Sequence, residues 1–317
     1  MTDIDLVYLY VNGNDPNWIA KRNRVIGKPT QGQENCEGRY ADHDELKYSL
    51  RSVELYAPWL RKIFIVTDDQ VPDWLDCSNP KVQIVDHHEI IPSQYLPCFN
   101  SVVIEHHLHN IPGLSEHFLY ANDDMFINQP VTPGFFFAED GLPIIRFNRR
   151  LFRRLSFWYR ATVQGRPLDA YNKTIQNAAA LVKERYGIYY SGKTHHNIDS
   201  YLKSSYRHAR QVFDREITAT LGNHVRSASD IQRNLYSYVA LAEKKGHLHY
   251  VSQRTSFRFH IDNREHYHKF EQYHPVLFCM NDSQFADDDD RQCVTDFLNR
   301  HFPTPSQFEK PQSSQRQ

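Results

Sequence analysis

Asn122-Asp123-Asp124 closes the apolar run Phe118-Leu119-Tyr120-Ala121, and Met125-Phe126 resumes it at once. A short aromatic-rich run reads as a buried strand, and a strand seldom ends in two acids without compensation, because an unpaired buried carboxylate is costly. Adjacent carboxylates at such a place suit a hard divalent cation held against phosphate oxygens. A strand running into an Asn-Asp turn leaves the same trace. Three further polar clusters follow predicted strands: Asn12-Gly13-Asn14-Asp15, Asp68-Asp69 and Asn281-Asp282. In an open parallel sheet the carboxyl ends of strands share one rim, where ligands bind. Acids gathered there repel unless a cation sits among them. The run Asp287–Asp290 precedes a predicted helix and reads instead as a solvated cap on its N-terminal dipole.

Basic partners are present. Arg39 and Arg51 could grip phosphate in bidentate fashion, or pair with Asp42, Asp44 or Glu45 nearby in sequence. His195-His196 enters a helical block and could serve as a base or a phosphate ligand, or simply pack. Arg226 precedes Ser229-Asp230.

The elements that must position these groups alternate. Strands are predicted at Ile4–Val11, Ile63–Thr67, Val82–Val85 and Phe118–Ala121, with helices at Asp44–Tyr56 and Asn100–Asn110 between them. That alternation argues for an α/β fold with a mostly parallel sheet of nucleotide-binding type. Residues 141–250 read as an inserted, mainly helical subdomain, with helices at Asp169–Tyr186 and Ser229–Lys245 and in part of His195–Phe213. Strands return at Thr255–His260 and Val276–Met280, followed by a helix at Arg291–His301. The expected division is therefore 1–140 as the nucleotide-binding α/β part, 141–250 inserted, 251–309 completing the core, and 310–317 a disordered polar tail.

The whole chain of 317 residues has a formal charge of −1, which excludes a global basic field for nucleic acid. Its five cysteines are scattered without a CxxC pair, so neither a zinc site nor a disulfide framework is favoured. A reducing, cytoplasmic setting is expected. No apolar run is long enough for a transmembrane span, which leaves peripheral association at the inner face of the membrane open. The supply of 18 His, 19 Tyr, 19 Phe and 4 Trp suits sugar or base stacking as well as plain packing.

Taken together, four blocks resemble the Stealth family of sugar-1-phosphate transferases, which includes bacterial capsular polysaccharide phosphotransferases and the catalytic part of the lysosomal-enzyme N-acetylglucosamine-1-phosphotransferase. They are Ile4–Tyr8 with Val11–Pro16; Arg39 through Asp44–Ser52, Pro58-Trp59, Ile65–Asp68, Asn100-Ser101 and Glu105 to Asn122–Asp124; His195-His196 with Val225-Arg226 and Asp230-Ile231-Gln232; and Asn281-Asp282 through Phe302–Glu309. Tyr10 and Cys98 depart from the commoner Trp and Thr. The resemblance implies a glycosyltransferase-A-like core, a UDP-sugar donor (UDP-GlcNAc first among them), a divalent metal (Mg2+ or Mn2+), and an oligosaccharide or polysaccharide acceptor. It implies attack of an acceptor hydroxyl on the β-phosphorus with release of UMP, in a capsule-type polymerase. By the same resemblance Asp123, Asp124, His195 or His196, Arg226 and Glu105 are catalytic. Asn12, Asp15, Arg39, Arg51, Asn100 and Asp230 would contact the donor, and Asp123, Asp124, Asn281 and Asp282 the metal. The rivals are a conventional metal-dependent glycosyltransferase releasing UDP and a non-catalytic nucleotide-sugar-binding protein.

Overall fold

The computed structural model describes residues 2–27, 44–148, 168–282 and 285–311, with a few isolated positions between 159 and 165. Ten strands lie in chain order at Ile4–Leu9 (β1), Ile63–Thr67 (β2), Val82–Asp86 (β3), His117–Asn122 (β4), Met125–Ile127 (β5), Ile144–Asn148 (β6), Asp199–Leu202 (β7), His247–Val251 (β8), Ser256–His260 (β9) and Leu277–Asn281 (β10). The central sheet has the order β3-β2-β1-β4-β7. Its first four strands are parallel and β7 runs antiparallel along β4. The chain moves outward from β1 on one side and then restarts on the other at β4. The β1/β4 junction is therefore the point where strand order reverses, and the crevice there is where an open α/β sheet takes a ligand.

Both faces of this sheet are covered, which is why its strands read as nearly continuous apolar runs. Side chains alternate across it with a period of two. Phe118 and Tyr120 of β4 join Val7 of β1 in one core, whereas Leu119 and Ala121 join Ile4, Leu6 and Tyr8 in the other. A second sheet, β5-β10-β9, packs Phe126, Phe257, Phe259, Phe278 and Met280 against the C-terminal helix in a third core rich in aromatic contacts.

The expected α/β architecture is observed, with differences of detail. The block 141–250 is not helical throughout. It supplies β7 to the central sheet and the parallel pair β6–β8, beside helices at Ala170–Tyr186 and Asn234–Ala242. The helix expected over Asn100–Asn110 is a single turn, Ser101–Glu105, then a 3-10 turn at Leu108–Asn110. The stretch from His195 becomes β7 before it becomes a helix at Lys203–Val212, because the open edge of β4 supplies a backbone partner. The helix expected from Ser229 starts at Asn234 instead, since the Asp230 carboxylate is spent on tertiary contacts. The acidic run behaves as expected: Asp287 and Asp290 form a capping box that starts the last helix at Asp288. Arg39 and the tail beyond Pro311 lie outside the described residues. Among the described residues no helix is long and apolar enough to cross a membrane.

Candidate active site

Asn122 ends β4 opposite Leu9 of β1. The chain turns at Asp123-Asp124 and re-enters as β5, which abandons the central sheet and pairs antiparallel with β10. The two acids thus sit where the two sheets meet, and the turn brings Asn281, the last residue of β10, up to them. Asp124 Oδ2 accepts from Asn281 Nδ2 at 3.0 Å and from Cys279 Sγ at 3.2 Å, and the Asp124 carbonyl accepts from Met280 N at 3.0 Å. Asp124 Oδ1 and Asn281 Oδ1 are buried and have no hydrogen-bond partner. Burial pushes the Asp124 carboxyl up, countered in part by the Cys279 and Asn281 bonds and by the charge of Arg258. Asp123 lies beside it, near enough for its charge to act on the Tyr8 hydroxyl and the Cys279 thiol.

His196 completes the group: one ligand atom each of Asp124, His196 and Cys279 lies within 4.8 Å of the others. Burial, aided by Arg258, Arg233 and Lys193, holds the His196 imidazole well below its usual pKa and therefore neutral. Burial and the neighbouring Asp124 push the Cys279 thiol far up, so the sulfur keeps its proton and donates it to the carboxylate. The donors left over for a cation are a carboxylate oxygen and an amide oxygen, with a neutral imidazole beside them. Two buried oxygens lacking any donor are costly unless something positive meets them. This set fits an oxygen-seeking divalent cation such as Mg2+ or Mn2+.

The adjacent histidines have different surroundings. His195 is buried, with Nδ1 at 2.8 Å from Ser256 Oγ and Nε2 at 3.4 Å from Asp199 Oδ1. Asp199 in turn pairs with Arg233, whose guanidinium also donates to Tyr201 Oη at 2.8 Å, lies 3.5 Å from Glu105 Oε1 and stacks over the Tyr120 ring at 4.4 Å. Glu105 Oε1 accepts from Tyr120 Oη at 2.8 Å, and Tyr120 Oη is also 2.8 Å from Asn122 Oδ1. Burial raises the Glu105 carboxyl to about 7 in spite of Arg233. A buried polar chain thus runs from Glu105 under β4 to His195, and His195 holds the loop on which His196 reaches Asp124.

Other expected site residues are bound to neighbours. Arg226 donates to Ser101 Oγ at 2.8 Å. Asn100 caps the Ser101–Glu105 turn and donates to Asp230 Oδ2 at 2.9 Å, and Asp230 also accepts from Asn223 at 2.6 Å. These bonds tie the 223–230 loop, and Arg226 with it, to the end of that turn. Asn12 exchanges backbone bonds with the Gln70 side chain, which also reaches Asp15, the cap of the Pro16–Ile26 helix. Asp68 pairs with Lys21 at 2.6 Å. Arg51 is committed elsewhere. Its fork lies on both oxygens of Glu309 at 2.7 Å and on the Phe302 carbonyl at 2.8 Å, so it secures the C-terminal segment. Asp282 pairs with Arg291 at 3.1 Å.

Sequence reasoning passed over Cys279, Asp199, Arg233 and Arg258. The period of two along β10 gave a signal for Cys279, two residues before Asn281. The others stand in no local motif.

Three stretches match conserved regions of Stealth proteins: region 1 over residues 2–29, region 2 over 39–145 and region 4 over 264–317. The capsular polysaccharide phosphotransferase LcbA of Aeromonas hydrophila is 30% identical over 311 residues, covering 94% of this chain and 84% of that protein. The chain belongs to the Stealth family. An exopolysaccharide phosphotransferase of Streptomyces coelicolor is 35% identical over 99% of this chain but 53% of its own length, and one of Lactiplantibacillus plantarum is 51% identical over 44% and 41%. The chain thus spans about half the length of the Streptomyces relative. Among solved structures, the galactosyltransferase LgtC in complex with donor and acceptor sugar analogs aligns over 96% of this chain and 98% of its own, with TM-score 0.47 and 12% identity. Asp123, Asp124, Glu105 and Asn100 fall in Stealth region 2 and Asn281 in region 4, so residues of separate conserved regions meet at the acid turn.

Proposed function

We propose that this Stealth chain transfers a sugar-1-phosphate, N-acetylhexosamine-1-phosphate first among candidates, from a UDP-sugar to a hydroxyl of an oligosaccharide or polysaccharide, forming a phosphodiester and releasing UMP. The observation that carries the reading is the pair of unpartnered buried oxygens on Asp124 and Asn281 beside a neutral His196, at the switch point of the sheet. Asp124 Oδ1, Asn281 Oδ1 and Asp123 would hold Mg2+ or Mn2+, which when bound offsets the negative charge of the phosphoryl oxygens. The chain's own residues do the rest. The acceptor oxygen forms a bond to the β-phosphorus while the bond from that phosphorus to the UMP oxygen breaks, and the electron pair leaves with UMP. His196, being neutral, takes the hydroxyl proton. Arg226 faces phosphate oxygens from the Ser101 side, and the loop from Asn12 to Asp15 meets the nucleotide. Glu105, Arg233, Asp199 and His195 keep the His196 loop in place. The relatives' names as capsular and exopolysaccharide phosphotransferases support a polymer-forming role.

The test is incubation with a panel of UDP-sugars, Mn2+ or Mg2+, and acceptor oligosaccharides. Phosphorus NMR should show phosphodiesters, with UMP as the nucleotide product. Release of UDP would instead mean ordinary glycosyl transfer, and nucleotide-sugar binding with no product would mean a binding protein. Full activity after metal stripping in excess chelator would remove the cation from the reading.

A further inference from the structure

We propose that Arg258, on β9, is the side chain that grips the diphosphate of the bound nucleotide, a role that rests on the donor-site reading above. Arg258 is the register partner of Cys279, whose sulfur touches Asp124. Neighbouring strands place register partners on the same side of a sheet, and side chains two apart along a strand share a face. The alternation of β9 is clear. Phe257 and Phe259 are buried in the third core, while Arg258 between them is exposed. Ser256, on the Arg258 face, contacts His195 at 2.8 Å, so that face looks toward the loop bearing His196. Arg258 lies one pleat nearer the carboxyl end of the strand, the end at which Asn281 meets Asp124.

Its charge reaches all three members of the candidate site, since it acts on Asp124, His196 and Cys279. Yet Arg258 forms no ion pair among the described residues, in contrast to Arg51, Arg233 and Arg291. An uncommitted guanidinium beside a site of buried acids is suited to a polyanion that arrives with a cation, and its planar fork matches two phosphate oxygens.

The experiment is calorimetric titration of UDP and of inorganic pyrophosphate, each with Mn2+ present, into wild-type protein and the variants R258Q, R258K and R254Q. Mn2+ binding alone is followed by electron paramagnetic resonance. R258Q should weaken both diphosphates at least tenfold and make their affinity less salt-dependent, while Mn2+ alone binds at least as tightly as in wild type. R258K should recover part of the loss. R254Q, an exposed arginine before the amino end of β9, should bind like wild type. Thermal melting of R258Q should match wild type, since the side chain is exposed. R258Q affinities within twofold of wild type overturn the proposal and leave the functional reading standing. A wild-type protein that binds neither Mn2+ nor UDP overturns that reading, and this proposal with it.

Discussion

Lowering the pH from 7.5 to 5 should destabilise this protein by about 4 kcal/mol, well before the ordinary carboxylates titrate. His106, His107 and His109 lie in and beside the short turn that carries Glu105, and burial drives their imidazoles down to about 3, 4 and 4, aided by Arg210. The unfolded chain takes up protons at these rings near pH 6.5, whereas the folded chain refuses them until the solution approaches pH 4. Their contribution is therefore complete above pH 6.5 and is lost as the pH falls. Across this window each ring withdraws about 2 kcal/mol. His87 and His196, also depressed by burial, act in the same direction. Glu105 opposes them. Its folded carboxyl, raised to about 7, binds a proton that the unfolded chain releases until near pH 4.5, and so returns about 2 kcal/mol. Asp124 and Asp230, raised by burial, oppose in the same sense.

Urea unfolding at pH 7.5 and pH 5.0, extrapolated linearly to water, measures the difference. E105Q removes the compensating group while keeping a side-chain acceptor for Tyr120, and should deepen the acid loss by about 2 kcal/mol. Equal stabilities at the two pH values, or a gain at pH 5.0, would refute the burial of neutral imidazoles as the controlling feature. An E105Q profile parallel to wild type would refute the opposing role of Glu105.

Three other outcomes are expected. D124N should lower turnover by about 10³-fold or more and abolish Mn2+ binding in resonance spectra, with a melting temperature close to wild type. H196Q should lose turnover with its stability unchanged, whereas H195Q should melt earlier because Asp199 and Ser256 each lose one of their partners; the reverse pattern would exchange their roles. E309Q should cost about 3 kcal/mol in urea unfolding, because Arg51 would remain buried without its counter-charge.

Much of the central sheet was legible because its strands are buried on both faces and so read as apolar runs bounded by turn residues. Ile63–Thr67 and the turn after Ala121 were found on that basis. The acids at β4 were legible for the same reason, since a polar pair interrupts a run that is otherwise apolar. Elements whose form depends on a distant partner were not. β7 exists because β4 has an open edge, and nothing between Ile198 and Leu202 announces it locally. Asp230 looks like a helix cap until Asn100 and Asn223 claim its carboxylate. The choice between His195 and His196 likewise depended on Ser256 and Asp199, the one far away in sequence and the other hidden in β7.

The rim itself had a different construction from the one the sequence implied. Four polar clusters were expected along one parallel sheet, yet Asn281 belongs to a second sheet and meets Asp124 only because the acid turn hands the chain from one sheet to the other. Strand periodicity is the same in both sheets, so sheet membership leaves no trace in the pattern. Cations are harder still to assign, because a guanidinium's role is fixed by whichever carboxylate reaches it first. Arg51 meets a glutamate 258 positions away, and Arg291 pairs with Asp282. Arg233 is enclosed by Asp199 and Glu105. Arg226 and Arg258 are among the described arginines that form no ion pair, and of these two it is Arg258 whose charge acts on Asp124 and His196. On the proposed reading, a site that accepts both a divalent cation and a diphosphate needs fixed acids and an uncommitted guanidinium close to one another. The meeting of two sheets provides that, with the acids on the turn that leaves β4 and the arginine on the strand beside β10.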